Sequence, residues 1–121
     1  MSVHPMVCHL CDSYRGVMGE KPVSSASGFF QTTLMKWAAL RLPMKWPQGT
    51  PTRPEVEQGV GGTVPGEFER DRAELREVFA RFCETAGDIP VAHPIFGPMT
   101  EWEWLRWGYL HADHHLRQFG R

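Results

Sequence analysis

Three histidines stand close together near the end of the chain, in the phrase HADHHLRQFGR, and their spacing suits metal chemistry. His111 and His115 are one helical turn apart, so on a helix their rings leave the same face about 40° apart and can converge on one ion. His114 competes with His115, because it also lies within one turn of His111, displaced about 60° the other way round the axis. Spacing alone leaves open which pair binds. The zinc-protease pattern needs a glutamate directly after the first histidine to act as general base. Here that position is Ala112, and that class is set aside. The bland alternative is one core histidine hydrogen-bonded to a neighbour, with the others solvated.

The element that must carry these rings begins at about Thr100. Thr100 followed three residues later by Glu103 is a capping box, in which each side chain satisfies a backbone N–H left unpaired at a helix start. Trp104, Gly108, His111, His115 and Phe119 then recur at three- and four-residue steps, and nothing breaks the helix before Gly120. A fourth histidine joins them from the other end of the chain. Residues 3–19 carry Met6, Leu10, Tyr14 or Ser13, and Val17 at helical steps, with Ser2 available as a cap and Pro5 tolerated in the first turn. His9 lies on that apolar face, so its imidazole points inward. Asp12 is placed to accept the second ring N–H of His9, or else to face solvent. His4 points elsewhere and is expected at the surface or in a loop.

Between these ends, Phe29, Phe30, Leu34, Trp37, Ala38 and Leu42 describe a second helix that stops before Pro43. Its wide apolar face is expected in the core, the alternatives being a substrate entrance or a dimer contact. Residues 43–66 are rich in proline and glycine, as in Trp46-Pro47-Gln48-Gly49 and Gly59-Val60-Gly61-Gly62, and read as a lid, a binding loop or a mobile crossover. Residues 67–86 form a third helix, buried through Phe68, Leu75, Val78, Phe79 and Phe82, with charges of alternating sign on its solvated face. A second loop, 88–99, contains His93-Pro94-Ile95-Phe96-Gly97-Pro98. His93 either approaches the start of the last helix or, as for most loop histidines, is exposed. Four helical segments, two long loops and no strand indicate an all-α protein, an up-and-down four-helix bundle of the kind that hosts metal sites on facing helices.

Composition narrows the class further. A chain of 121 residues, 41% hydrophobic and 22% charged, is expected to form a single domain over 1–121. Five tryptophans and seven phenylalanines promise a bulky core or an aromatic-lined pocket. Thirteen basic against fourteen acidic residues, with no basic cluster, argue against a nucleic-acid partner. No apolar run approaches a membrane span and no signal peptide is evident, so the expected location is cytoplasmic, with no membrane partner. Three cysteines argue against a disulfide framework; Cys8 and Cys11 form a lone C-x-x-C, expected to be small buried thiols.

Taken in order, His9-Leu10 within HPMVCHLCDSYR, His93-Pro94-Ile95-Phe96-Gly97, Glu101-Trp102 and the closing HADHHLRQFG resemble the DinB-like superfamily of four-helix-bundle metalloproteins, and within it an uncharacterised, domain-of-unknown-function branch. The resemblance covers nearly the whole chain. It implies three histidine ligands for a divalent metal, one on an early helix and two spaced by four on the last, which fall on His9, His111 and His115 and leave His114 as a neighbour. It also implies a metal-dependent enzyme acting on a small molecule, either a transferase using a low-molecular-weight thiol or a hydrolase; a metal-binding or structural module without turnover is the other class. An all-imidazole site suits zinc, nickel, iron or copper. Asp12, Asp113, His114 and Gln118 are candidates for a base or a supporting role, none selected by spacing. Superfamily members usually begin with a further helix ahead of the segment matching HPMVCHL. The expectation is therefore a bundle lacking that first helix, its open face covered by a second subunit in a homodimer.

Overall fold

The structure, a computed structural model, describes residues 2–46 and 52–119. Among these the chain is all-helical: α1 (Val3–Val17), α2 (Lys36–Arg41), α3 (Phe68–Thr85) and α4 (Glu101–Leu116) form a small bundle without a β-strand.

α1 is the central element. Met6 to Tyr14 are all buried, because α3 packs along one side and the long loop and α4 close the others. Its start lacks the expected side-chain cap; Ser2 contributes only its carbonyl, which accepts the Met6 N–H at 3.1 Å. The core is aromatic, as the composition implied. Tyr14, Phe82, Trp104 and Trp107 meet edge-on or tilted at centroid distances of 5.0–6.5 Å, and the Tyr14 hydroxyl donates to the Gly108 carbonyl at 2.7 Å. Full burial of a ring such as Phe82 contributes about 1.5–3 kcal/mol. Gly108 is required at this contact, since a Cβ there would lie 2.5 Å from the Phe82 ring and α4 could not approach so closely.

α4 starts as the sequence indicates. Thr100 Oγ1 accepts the Glu103 N–H at 3.2 Å and Glu103 Oε1 accepts the Thr100 N–H at 2.9 Å, the two halves of a capping box. α3 is capped instead by Glu67, whose carboxylate accepts the N–H groups of Glu69 and Arg70. Its buried face is narrower than the pattern suggested: Val78 and Phe82 are buried, Phe68 and Leu75 half-buried, and Phe79 exposed at the edge.

The second helix departs from expectation. Helical structure runs continuously over 29–41, with a π-helical stretch, Gln31–Met35, leading into α2, but only Leu40 is buried. Phe29 is 86% exposed, and Phe30, Leu34 and Trp37 are more than half exposed. The wide apolar face is therefore not core; Arg106 Nε to the Leu40 carbonyl (2.9 Å) and Lys36 to the Pro98 carbonyl (3.2 Å) hold this segment against α4 and the loop before it.

The described part of the long loop is ordered by local hydrogen bonds. A 3-10 turn, Pro54–Val56, is folded back on itself by Gly61 N–H to the Pro54 carbonyl (2.8 Å), and its last residue, Val56, is buried against α1. Residues 47–51, within the proline-rich phrase singled out above, lie outside the described residues.

Candidate metal centre

α1 presents His9 inward and α4 presents His111 and His115 from one face, so that one potential ligand nitrogen from each lies within 4.8 Å of the other two. The ring centroids are 5.6 Å apart for His9 and His111, 4.7 Å for His9 and His115, and 4.9 Å for His111 and His115. These are residues 102 and 106 positions apart in sequence, brought together by the packing of α4 onto α1 around Tyr14 and Gly108. His111 is fixed further by stacking on Trp107 at 4.9 Å and by the edge of Trp46, whose indole N–H donates to the Ala39 carbonyl.

The hydrogen-bond pattern fits a cation and leaves the right atoms over. His9 Nδ1 donates to the Val56 carbonyl at 2.8 Å, which sets the tautomer and frees Nε2 as a lone pair. His111 Nε2 and His115 Nδ1 are buried without a hydrogen-bond partner, a costly condition for polar atoms unless something else satisfies them. Burial lowers the pKa of all three rings, and for His111 and His115 the neighbouring imidazoles lower it again; His115 falls to about 4. The Val56 bond on His9 and a Gln118 bond on His115 oppose this without reversing it. Near pH 7 the cluster therefore consists of three neutral imidazoles, the protonation state that a metal ion requires.

The cluster opens onto a cavity of about 490 Å³, within the size range of small-molecule sites. Its walls are mainly apolar, with Phe30, Leu34, Ile95 and Trp107 among them; of the outward-facing apolar residues of the second helical segment, Phe30 and Leu34 thus line the cavity, while Phe29 and Trp37 do not. Lys45 and Arg53 border it, and among the described residues no carboxylate does.

The remaining candidates are distributed unequally. His114 borders the cavity, its ring 5.1 Å from that of His115 and 6.1 Å from Trp46, and its Nδ1 is buried without a partner. Asp113 points away and pairs with Arg117 at 2.8 Å. Asp12 does not take the His9 proton. Both its oxygens are occupied by Thr63, through the backbone N–H and the hydroxyl at 2.7 Å each, and Lys21 lies 3.3 Å away. The group that does take that proton is a backbone carbonyl in the loop, for which no side-chain signal exists in the sequence.

Of the two other histidines, His93 takes the first of its two expected places, against the start of α4, and His4 departs from expectation. His93 is not an exposed loop residue: it is 7% exposed, stacked on Phe96 and packed on Trp104 and Trp107. Its Nδ1 accepts the backbone N–H groups of Ile95 (3.0 Å) and Phe96 (3.1 Å), and burial pushes its pKa down to about 3. His4 is not a free surface group either. Its Nε2 lies 2.6 Å from Asp71 Oδ2, which also accepts the Gly66 N–H at 2.9 Å and faces the Cys8 thiol at 3.8 Å. His4, Cys8 and Asp71 are close enough to hold a metal, but Asp71 is already satisfied, and burial, reinforced by Asp71, raises the Cys8 pKa to about 11. This set is a tie between α1, α3 and the loop. Cys11 is buried and likewise raised to about 11 by burial, so neither thiol of the C-x-x-C is reactive.

No helix among the described residues is long and apolar enough to cross a membrane. Compared with known proteins, the chain matches the family described as "protein of unknown function (DUF1569)" over residues 6–121. No curated protein and no solved structure matches it.

Proposed function

The chain belongs to the DUF1569 family, and on that premise we propose that it is a metal-dependent enzyme, with His9, His111 and His115 as ligands, that transfers a low-molecular-weight thiol to an electrophilic small molecule. The observation that carries this reading is the position of the three neutral imidazoles at the wall of a 490 Å³ cavity. A site serving structure alone would be closed by a fourth protein ligand. The thiol comes from the DinB-like resemblance carried by HPMVCHL, HPIFG and HADHHLRQFG.

Zinc, nickel or iron would suit the donor set: His9 through Nε2, His111 through Nε2 and His115 through its unpartnered Nδ1. Such an ion supplies an open coordination position at which a thiol is acidified near neutral pH. The chain's own residues do the rest. The Val56 carbonyl holds the His9 ring in its donating tautomer, Trp107 holds the plane of His111, and the apolar walls exclude water from the nucleophile. His114, neutral and at the cavity's edge, is the group placed to take the thiol proton as sulfur bonds to the electrophilic carbon and the leaving group on that carbon, chloride in the bimane probe below, departs with the bonding electron pair.

The test is thioether formation between monochlorobimane and each of a panel of low-molecular-weight thiols, using protein loaded with zinc, nickel or iron. The expected result is acceleration over the free thiol that chelation abolishes and His114→Ala lowers by about 10²-fold or more. Metal-loaded protein that accelerates no thiol would overturn the transferase reading and favour hydrolysis or metal binding without turnover.

A further inference from the structure

We infer that the cavity takes a largely apolar molecule carrying a carbonyl oxygen, and that His93, through its Nε2–H, is the hydrogen-bond donor to that oxygen. This deepens the reading of the cavity as a substrate site and rests on it, without depending on the metal.

His93 comes from the loop 88–99, not from either helix that supplies the metal cluster. Its Nδ1 accepts two backbone N–H groups, from Ile95 and Phe96. A ring nitrogen that accepts cannot also carry the proton, so the neutral imidazole has its hydrogen on Nε2. The turn that makes this arrangement is tight: His93 and Gly97 exchange backbone hydrogen bonds at 2.8 and 3.0 Å, and Gly97 adopts a positive φ of 73°. The ring is more than nine-tenths buried and borders the cavity, and among the described residues nothing accepts a hydrogen bond from Nε2. A donor held in one tautomer, oriented by stacking on Phe96 and by an edge-on contact with Trp107, and left without an acceptor among the described residues, is prepared for a ligand's oxygen.

The surroundings narrow the ligand. Of the other polar groups bordering the cavity, Arg53 already donates to the Ser24 carbonyl at 3.1 Å and to its hydroxyl at 2.7 Å. Among the described residues no carboxylate borders the cavity to receive a cationic ligand, and the walls offer aromatic and branched apolar surface. A ketone or aldehyde with an aromatic or branched body matches the His93 donor and the apolar walls, with Lys45 as a cation at the border, and such a carbonyl is also an electrophile of the kind the thiol reading calls for.

The experiment uses metal-free protein and two probes of the same shape, acetophenone and α-methylstyrene, in which a carbonyl oxygen is exchanged for a methylene. The variant is His93→Asn, whose side-chain oxygen can still accept the Ile95 and Phe96 N–H groups while the Nε2 donor is gone. Calorimetric titration should show the ratio of the two dissociation constants shifting by roughly tenfold against acetophenone in the variant. An unchanged ratio, or failure of either probe to bind the wild type, overturns the inference. The infrared carbonyl stretch of acetophenone bound to the wild type gives a second readout that does not need the variant to fold: a shift to lower frequency than in hexane is expected, and a hexane-like frequency contradicts the proposal. Loss of thiol transfer would leave both readouts standing, and their loss would leave the metal chemistry standing.

Discussion

Burial is the main cause of the lowered pKa of the buried histidines His9, His93, His111 and His115, and it favours their neutral form. His93 shows the consequence for stability most cleanly, because it is buried and its folded pKa falls from 6.5 to about 3. Between those values the unfolded chain binds a proton that the folded chain does not. Stability is therefore fully present above about pH 6.5 and is lost as pH falls toward 3, by an amount on the order of a few kcal/mol from this residue. Urea unfolding of metal-free protein should show a lower midpoint at pH 5 than at pH 7.5, and a smaller difference in His93→Asn. A midpoint independent of pH would contradict the assignment. At the same scale, the His4 and Asp71 pair belongs to the fold and not to the metal centre, so His4→Ala should leave metal content unchanged while His111→Ala and His115→Ala lower it. Equal metal loading of all three variants would refute the ligand assignment.

Among the elements, the loop over 52–66 and α4 do more for the site than the sequence suggests. Asp12 fixes the loop at Thr63, and the loop in turn presents the Val56 carbonyl to His9. Asp12→Ala should therefore weaken metal binding by about 10- to 100-fold although Asp12 touches no ligand, as loss of a supporting hydrogen bond commonly does. An affinity equal to the wild type, measured by competition with a chelator, would show that the loop does not support His9. Gly108→Ala should destabilise the chain by about 1–3 kcal/mol, since the added methyl meets Phe82 at 2.5 Å and α4 must move; an unchanged denaturation midpoint would contradict this. The helices themselves were legible because their signals are local. The Thr100 and Glu103 capping box fixed the start of α4, and the spacing of Met6, Leu10 and Val17 put His9 on the inner face. The partner of His9 was not legible, because it is a main-chain carbonyl 47 residues away. Nor was the burial of His93, which depends on a turn closing onto Trp104 and Trp107, nor the exposure of Phe29 and Trp37, which helical periodicity alone assigns to a core.

For the whole molecule, the exposed apolar side chains are concentrated on one stretch. Phe29, Phe30, Leu34, Trp37 and Met44 are each more than half exposed, and exposed apolar residues that cluster are the kind that mark a contact surface. A dimer contact through this segment, one of the alternatives its sequence offers, would cover it. Sedimentation at tens of micromolar should then give twice the chain mass, and Trp37→Glu should return it to a monomer; a monomeric wild type would contradict that expectation. The same stretch flanks the cavity through Phe30 and Leu34, so dimerisation would also narrow the entrance.

The central claim is that α1 and α4 together bind one metal ion through three imidazoles. Metal analysis of untagged protein, comparing wild type with His9→Ala, tests it most directly, because His9 is the single ligand contributed by α1. The account predicts about one transition-metal ion per wild-type chain, lost in the variant while the helical circular dichroism is retained. A wild type that holds no metal after reconstitution, or a variant that holds as much as the wild type, would contradict it.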